Sequence, residues 1–142
     1  MNQTANYKLN QWEEGDVVRR SDFNADNLKL DAAIKAAYDA ASAGAIQIVT
    51  GTYDGDGTRT RTISLGFTPK LVYVCDTWGK TYENFAYYGG LAFTGHPIVS
   101  QFGDSVVEIV DGGFQVAHYY FNQRYVASND QNTSYHYAAL SW

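Results

Sequence analysis

The pattern of apolar and polar positions changes twice along the chain. Residues 1–20 are polar, with Tyr7, Leu9 and Trp12 as isolated apolar anchors and an acidic-to-basic swing from Glu13-Glu14 to Arg19-Arg20. Such a stretch cannot build a core of its own, so it is expected to be an extended arm whose anchors need a partner surface or neighbouring chain to cover them. From Ser21 to about Gly44 the spacing becomes helical and alanine-rich, with Ser21 or Asn24 as N-cap and Gly44 at the stop. Phe23, Leu30, Ile34, Ala37 and Ala41 fall on a 4-3 repeat when Asn27 is included, placing Asn27, Ile34 and Ala41 at a and Phe23, Leu30, Ala37 and Gly44 at d. A globular amphipathic helix shares this spacing. The narrow, Ala-rich stripe and the Asn within it favour a coiled-coil-like neck, because one buried Asn can fix register and strand number. The helix would be roughly 35 Å long.

Beyond Gly44 the period shortens to two and glycine becomes frequent, which predicts an antiparallel β-sandwich over 45–142. Strands are expected at 46–53, 59–65, 70–75, 105–110, 114–120 and 134–142, with less regular ones between Glu83 and Gln101. Turns are expected at Asp54-Gly55-Asp56-Gly57, Gly66-Phe67-Thr68-Pro69 and Asp111-Gly112-Gly113. Leu71-Val72-Tyr73-Val74 and Val106-Val107 are apolar on both faces, as in strands covered twice, the second cover being open to a symmetry mate. The fold expected is therefore mainly β: an arm (1–20), a helical, trimeric coiled-coil-like neck (21–44) and a β-sandwich (45–142).

Composition narrows the partners. At 142 residues the chain has room for one ordinary domain and an appendage. Ten Lys and Arg against fifteen Asp and Glu give a net charge of −5, which argues against nucleic acid. The start of the chain lacks the apolar core of a signal peptide, and no window approaches a membrane span, so a soluble protein without membrane insertion, made in a cytoplasm, is expected. Cys75, the single cysteine, lies in an apolar run and is expected to be a small buried hydrophobe.

Candidate chemistry is sparse. His96, His118 and His136 fit no metal spacing, although His118 and His136, both on expected strands, could meet across a sheet. Hydrogen-bonded strand histidines are the preferred reading, since no local carboxylate supports a metal site. Asp54 and Asp56 resemble a calcium loop but lack its closing Glu. No pair of carboxylates stands out for glycoside hydrolysis. Neither an enzyme nor a cofactor or metal is expected. A binding surface has better support. Residues 78–90 and 119–125 are rich in aromatics, and rigid rings beside short amides and an Arg suit sugars. Trp78, Tyr82, Tyr87, Tyr88 and Arg124 are the candidate ligand-binding residues, with Gly79, Gly89 and Gly90 expected to let this stretch loop away from the sheet and Arg124 able to bind an anionic group.

The segments 6–13, 16–27 and 29–34, together with Gly51-Thr52-Tyr53-Asp54-Gly55-Asp56-Gly57-Thr58, residues 61–70 and residues 132–140, resemble tail-fibre and receptor-binding proteins of phages and prophages of Gram-positive bacteria. That resemblance implies a homotrimer located in the virion tail. It implies attachment to a tail or baseplate protein through the arm, by Tyr7, Leu9 and Trp12. It also implies a neck assembled through Phe23, Asn27, Leu30, Ile34, Ala37 and Ala41, and a distal domain that meets a bacterial cell-surface polysaccharide or teichoic acid. A tail or baseplate decoration contacting only phage proteins, and a small polysaccharide hydrolase, are the alternatives left open.

Overall fold

In the computed structural model, which describes residues 2–142, the chain is mainly β and forms two units, one ending at Ala45 and the other running Ile46–Trp142. In the first unit, strands β1 (Asn2–Gln3) and β2 (Asn10–Gln11) pair antiparallel ahead of the single helix, α1 (Arg20–Ala43). The expected extended arm is therefore corrected: residues 2–11 double back as a hairpin. The reason is local hydrogen bonding. The Leu9 amide donates to Thr4 Oγ1 at 3.0 Å and the Thr4 amide to the Leu9 carbonyl at 2.9 Å. The hairpin then docks on the helix, where Asp26 Oδ2 accepts the Asn10 amide at 2.9 Å and Lys29 Nζ reaches both the Lys8 carbonyl (2.5 Å) and Asp26 (3.2 Å).

The helix starts one residue earlier than expected. Its N-cap is Arg19, without a side-chain cap, so neither Ser21 nor Asn24 has that role; Gly44 stands at the C-cap. The Arg19 carbonyl accepts the Asp22 amide at 3.1 Å, which sets the first turn there. No residue of α1 is buried. Its half-covered positions are Asp22, Asp26, Lys29 and Ala33, a 4-3-4 set on one side. At about 100° per residue that side lies roughly a quarter-turn from the stripe Phe23, Asn27, Leu30, Ile34, Ala37 and Ala41. The hairpin thus leaves the stripe open, with Leu30 38 % and Ile34 68 % exposed.

The second unit begins with β3 (Gln47–Asp54), β4 (Thr60–Ser64) and β5 (Leu71–Asp76). The short β6 (Tyr82–Glu83), β7 (Ala86–Tyr87), β8 (Gly90–Phe93) and β9 (Ile98–Val99) follow. The chain ends with β10 (Ser105–Val110), β11 (Gly113–Phe121), β12 (Arg124–Ala127) and β13 (Ser134–Ser141). One sheet runs β3-β13-β5-β8; the other runs β6-β7-β12-β11-β10-β9, with β4 also paired to β11. The alternation anticipates β10 residue for residue and most of the long strands within a residue or two, but misses β6 and β12. The pairing is antiparallel except between β7 and β12, which run parallel. Both sheets contribute to one core, in which Tyr53 stacks on Tyr135 at 4.8 Å and Phe114 meets Tyr53 and Tyr137 edge-on. Cys75 is buried, as expected.

Two fully buried polar residues, Ser128 and Asn129, join these strands. Ser128 Oγ accepts the Ala117 amide (2.9 Å) and donates to the Val106 carbonyl (2.6 Å), while the Ser128 carbonyl accepts the Tyr53 hydroxyl (2.6 Å). Asn129 holds the β3–β4 turn: its Nδ2 reaches Asp56 Oδ1 (2.6 Å) and the Thr58 carbonyl (3.0 Å), and its Oδ1 accepts the Asp56 amide (3.2 Å). The Asp54-Gly55-Asp56-Gly57 segment is thus a sutured turn. Hydrogen bonds from the Thr58 hydroxyl and amide, then from Asn129, lower the Asp56 carboxyl from 3.8 to about 2. Since the folded value is depressed, the stability this group contributes is present above about pH 4 and is lost as pH falls toward 2.

Asn129→Ala strands the Asp56 amide and the Thr58 carbonyl together. It is expected to cost on the order of 3 kcal/mol in urea unfolding, with Asp56→Asn costing much less; an unchanged midpoint for Asn129→Ala would show that the suture is dispensable.

Candidate functional site

Two hairpins carry the aromatic stretches picked out in the sequence. β6 and β7 are joined at Asn84-Phe85, and β11 and β12 at Asn122-Gln123. Because β7 and β12 run parallel, with Ala86 opposite Tyr125 and Tyr87 opposite Val126, the two turns lie at the same end of the sheet. Both are two-residue turns with positive φ throughout: 48° and 67° at Asn84 and Phe85, 48° and 63° at Asn122 and Gln123. Asn tolerates this left-handed backbone, whereas an aromatic residue there is unusual, and each non-glycine residue so held costs about 1 kcal/mol. The strain keeps Phe85 at the rim, 59 % exposed.

Between the turns lies a cleft of about 310 Å³ lined by Asn84, Phe85, Tyr120, Gln123 and Tyr125. Tyr120 and Tyr125 meet edge-on at 5.6 Å, and Tyr120 is 68 % exposed. Tyr125 is fixed from below by donating its hydroxyl to Asp130 Oδ2 at 2.8 Å; burial and this bond push its phenol well above the ordinary range. His118 lies beside it, its ring 5.9 Å from that of Tyr125 and its Nδ1 3.6 Å from Asp130 Oδ1. The cleft offers flat rings flanked by side-chain amides, the combination that stacks on the C–H face of a sugar while meeting its hydroxyls.

The five ligand-binding candidates do not form one patch. Tyr82 and Tyr87 are paired across β6–β7 with rings 4.8 Å apart. Tyr87 accepts the Gln101 amide at 3.1 Å, and the next residue, Phe102, lies beneath the Arg124 guanidinium at 4.5 Å. By register Tyr82, Tyr87 and Arg124 share one face of the sheet, opposite to that of Tyr120 and Tyr125. Tyr88 packs against the core, and burial, then the Glu83 carboxylate, raise its phenol. Trp78 stands apart in the β5–β6 turn, 78 % exposed, its amide donating to the buried Asp76 at 2.9 Å. The expected free loop is corrected as well. A Cβ on Gly89 would collide with the Val74 carbonyl, so that glycine serves close packing on β5. Phe85, Tyr120 and Tyr125 lie in the two aromatic stretches but are not among the five candidates; the signal that could have marked them is Asn at the head of each two-residue turn, Glu83-Asn84-Phe85-Ala86 and Phe121-Asn122-Gln123-Arg124, and no such signal marks Phe102.

Of the arm's anchors, Tyr7 is 58 % exposed, Leu9 is half-buried, and Trp12 stacks on Phe23 at 5.8 Å. His118 and His136 lie in different sheets and do not meet. Among the described residues no three His, Cys, Asp or Glu side chains cluster as a metal site requires, and no helix is long and apolar enough to cross a membrane. Comparison with protein-family models, curated proteins and solved structures finds no match.

Gln123 is exposed and makes none of the side-chain hydrogen bonds described above, so Gln123→Gly is expected to relieve strain and stabilise the protein by about 1 kcal/mol in thermal or urea unfolding. A loss of stability would mean that the turn is not strained.

Proposed function

We propose that the chain is a homotrimeric tail fibre or receptor-binding protein of a phage, which attaches the virion to a bacterial cell-surface polysaccharide or teichoic acid. In this reading 21–44 is a three-stranded helical neck and 45–142 a β-sandwich receptor-binding domain. The residues before the neck contact a tail or baseplate protein, with Tyr7 as the outward anchor. The protein binds and does not catalyse.

The observation that carries this reading is the aromatic cleft between the two strained hairpins. Strain of that kind persists where the displayed side chains matter, and Phe85 and Tyr120 are large rings held out toward solvent. A second patch, Tyr82, Tyr87 and Arg124, lies on the opposite face of the same strands. No described carboxylate forms an ion pair with Arg124, whose charge is supported by the Phe102 ring and so is available to a phosphate or carboxylate. The neck is supported by the open stripe of α1, since a 24-residue helix with no buried residue gains little from its own unit.

Binding of the purified chain to cells, before and after their wall polysaccharide is stripped, tests the function. Phe85→Ala and Tyr120→Ala are each expected to lower cell binding roughly tenfold with little change in melting, whereas Tyr88→Ala should lower melting instead. No binding to cells or to any glycan would favour a structural tail protein, and release of reducing ends would favour a hydrolase. Ile34→Asp places a carboxylate in each apolar seam position at one level of the neck and is expected to break the assembly, while the exposed Lys35→Ala leaves it intact.

A further inference from the structure

The sheet β3-β13-β5-β8 turns an uncharged, largely apolar face outward. Register places Ile48, Leu140, Leu71 and Phe93 in one row across all four strands, and Thr50, Ala138, Tyr73 and Leu91 in the next. Their partners one residue along, such as Val72, Val74 and Ala139, point into the core and are fully buried. The outward residues are bare: Ile48 is 62 % exposed, Leu91 and Phe93 each 43 %, and Tyr73 39 %. Neither row contains Asp, Glu, Lys or Arg, and charge appears only at the ends, with Asp54 at one and Lys70, whose Nζ lies 5.1 Å from the Trp142 ring, at the other. An apolar centre with a charged rim is the anatomy of a protein interface.

The edge of this sheet has the same character. β3 is paired only to β13, over eight unbroken positions, so its other side is a long, regular and unpaired edge without Lys, Pro or bulge. Soluble proteins ordinarily blunt such an edge. Only the last residue of β3 is covered, the Asp54 carbonyl accepting from the Arg61 guanidinium at 2.5 Å.

We propose that this face is covered by a second copy of the chain, so that the β units of the assembly pack on one another and do not merely hang from the neck. The proposal rests on the trimer reading above. Three residues, Gly44, Ala45 and Ile46, separate α1 from β3. A bundle of helices therefore delivers the β units of its members to one another at high local concentration. A stable interface needs about 800 Å² from each partner, and the sheet face and the open stripe of α1 both have large apolar side chains exposed. In that reading the stripe is occupied by other copies of itself and is not free to cover the sheet.

Hydroxyl-radical footprinting of the purified full-length chain tests this, because copies of the chain are then the only partners. Tyr73 and Phe93 are expected to oxidise several-fold more slowly than Tyr120 and Phe121; Leu91→Glu and Ile48→Glu should each remove this protection while the core Tyr135 stays protected. Tyr73 and Phe93 reacting as readily as their single-chain exposure dictates, in an assembly with the mass of three chains, would overturn the proposal and leave the neck standing. Protection in a monomer would also overturn it, assigning the cover to the chain's own residues. A monomer with both Tyr73 and the helix residue Tyr38 reactive would overturn the neck as well.

Discussion

The Ile46–Trp142 unit depends on the burial of two polar residues, Ser128 and Asn129, with nearly every hydrogen-bonding group paired. A serine and an asparagine cut off from water each cost free energy unless fully satisfied. Here they are satisfied by groups from β10, β11, the end of β3 and the β3–β4 turn. Tyr135, from the other sheet, braces the residues on either side of the pair, donating to the Ala127 carbonyl and accepting the Asp130 amide at 3.0 Å. Because this dipeptide follows β12 directly, the same bonds that close the core also fix where β12 leaves β11. β7 pairs with β12 and β6 with β7, so the position of the aromatic hairpins follows from a junction buried beneath them.

A second constraint operates outside the core. The chain makes more apolar surface than its own units cover. The hairpin of residues 2–11 takes the side of α1 that carries Asp26 and Lys29, which can anchor it with charge-assisted bonds, and leaves the side that carries Ile34. The four-stranded sheet faces its partner sheet with one surface and offers the other, equally apolar, to solvent. Leu30, Ile34, Ile48 and Leu91 in the open would be a liability in a solitary chain. In the assembly proposed above they would hold it together, leaving the strained hairpins as the outward-facing chemistry.

The sequence made the long elements legible because their apolar runs are long and bounded by turn residues: a helical spacing from Phe23 to Ala41, and strand runs along β10 and β13. The double apolar character of Leu71-Val72-Tyr73-Val74 was also visible, and Leu71 and Tyr73 do lie on the open face. What stayed hidden depends on long-range partners. The hairpin of residues 2–11 needs Asp26, fifteen or more residues away, to receive the Asn10 amide. β6, β7 and β12 are two to four residues long, too short for any period, and exist because β11 and the Ser128 junction provide an edge. For the same reason the candidate site was found as two aromatic stretches but not as a cleft: Tyr87 and Tyr88 both pack against the core, and only the parallel pairing of β7 with β12 brings Phe85 beside Tyr120.

The central claim is that the exposed stripe and the exposed sheet face belong to one self-assembly. Sedimentation velocity of the unmodified chain across the micromolar range measures this most directly. A single boundary with the mass of three chains, stable on dilution, is the result expected; a boundary with the mass of one chain throughout that range would contradict the account.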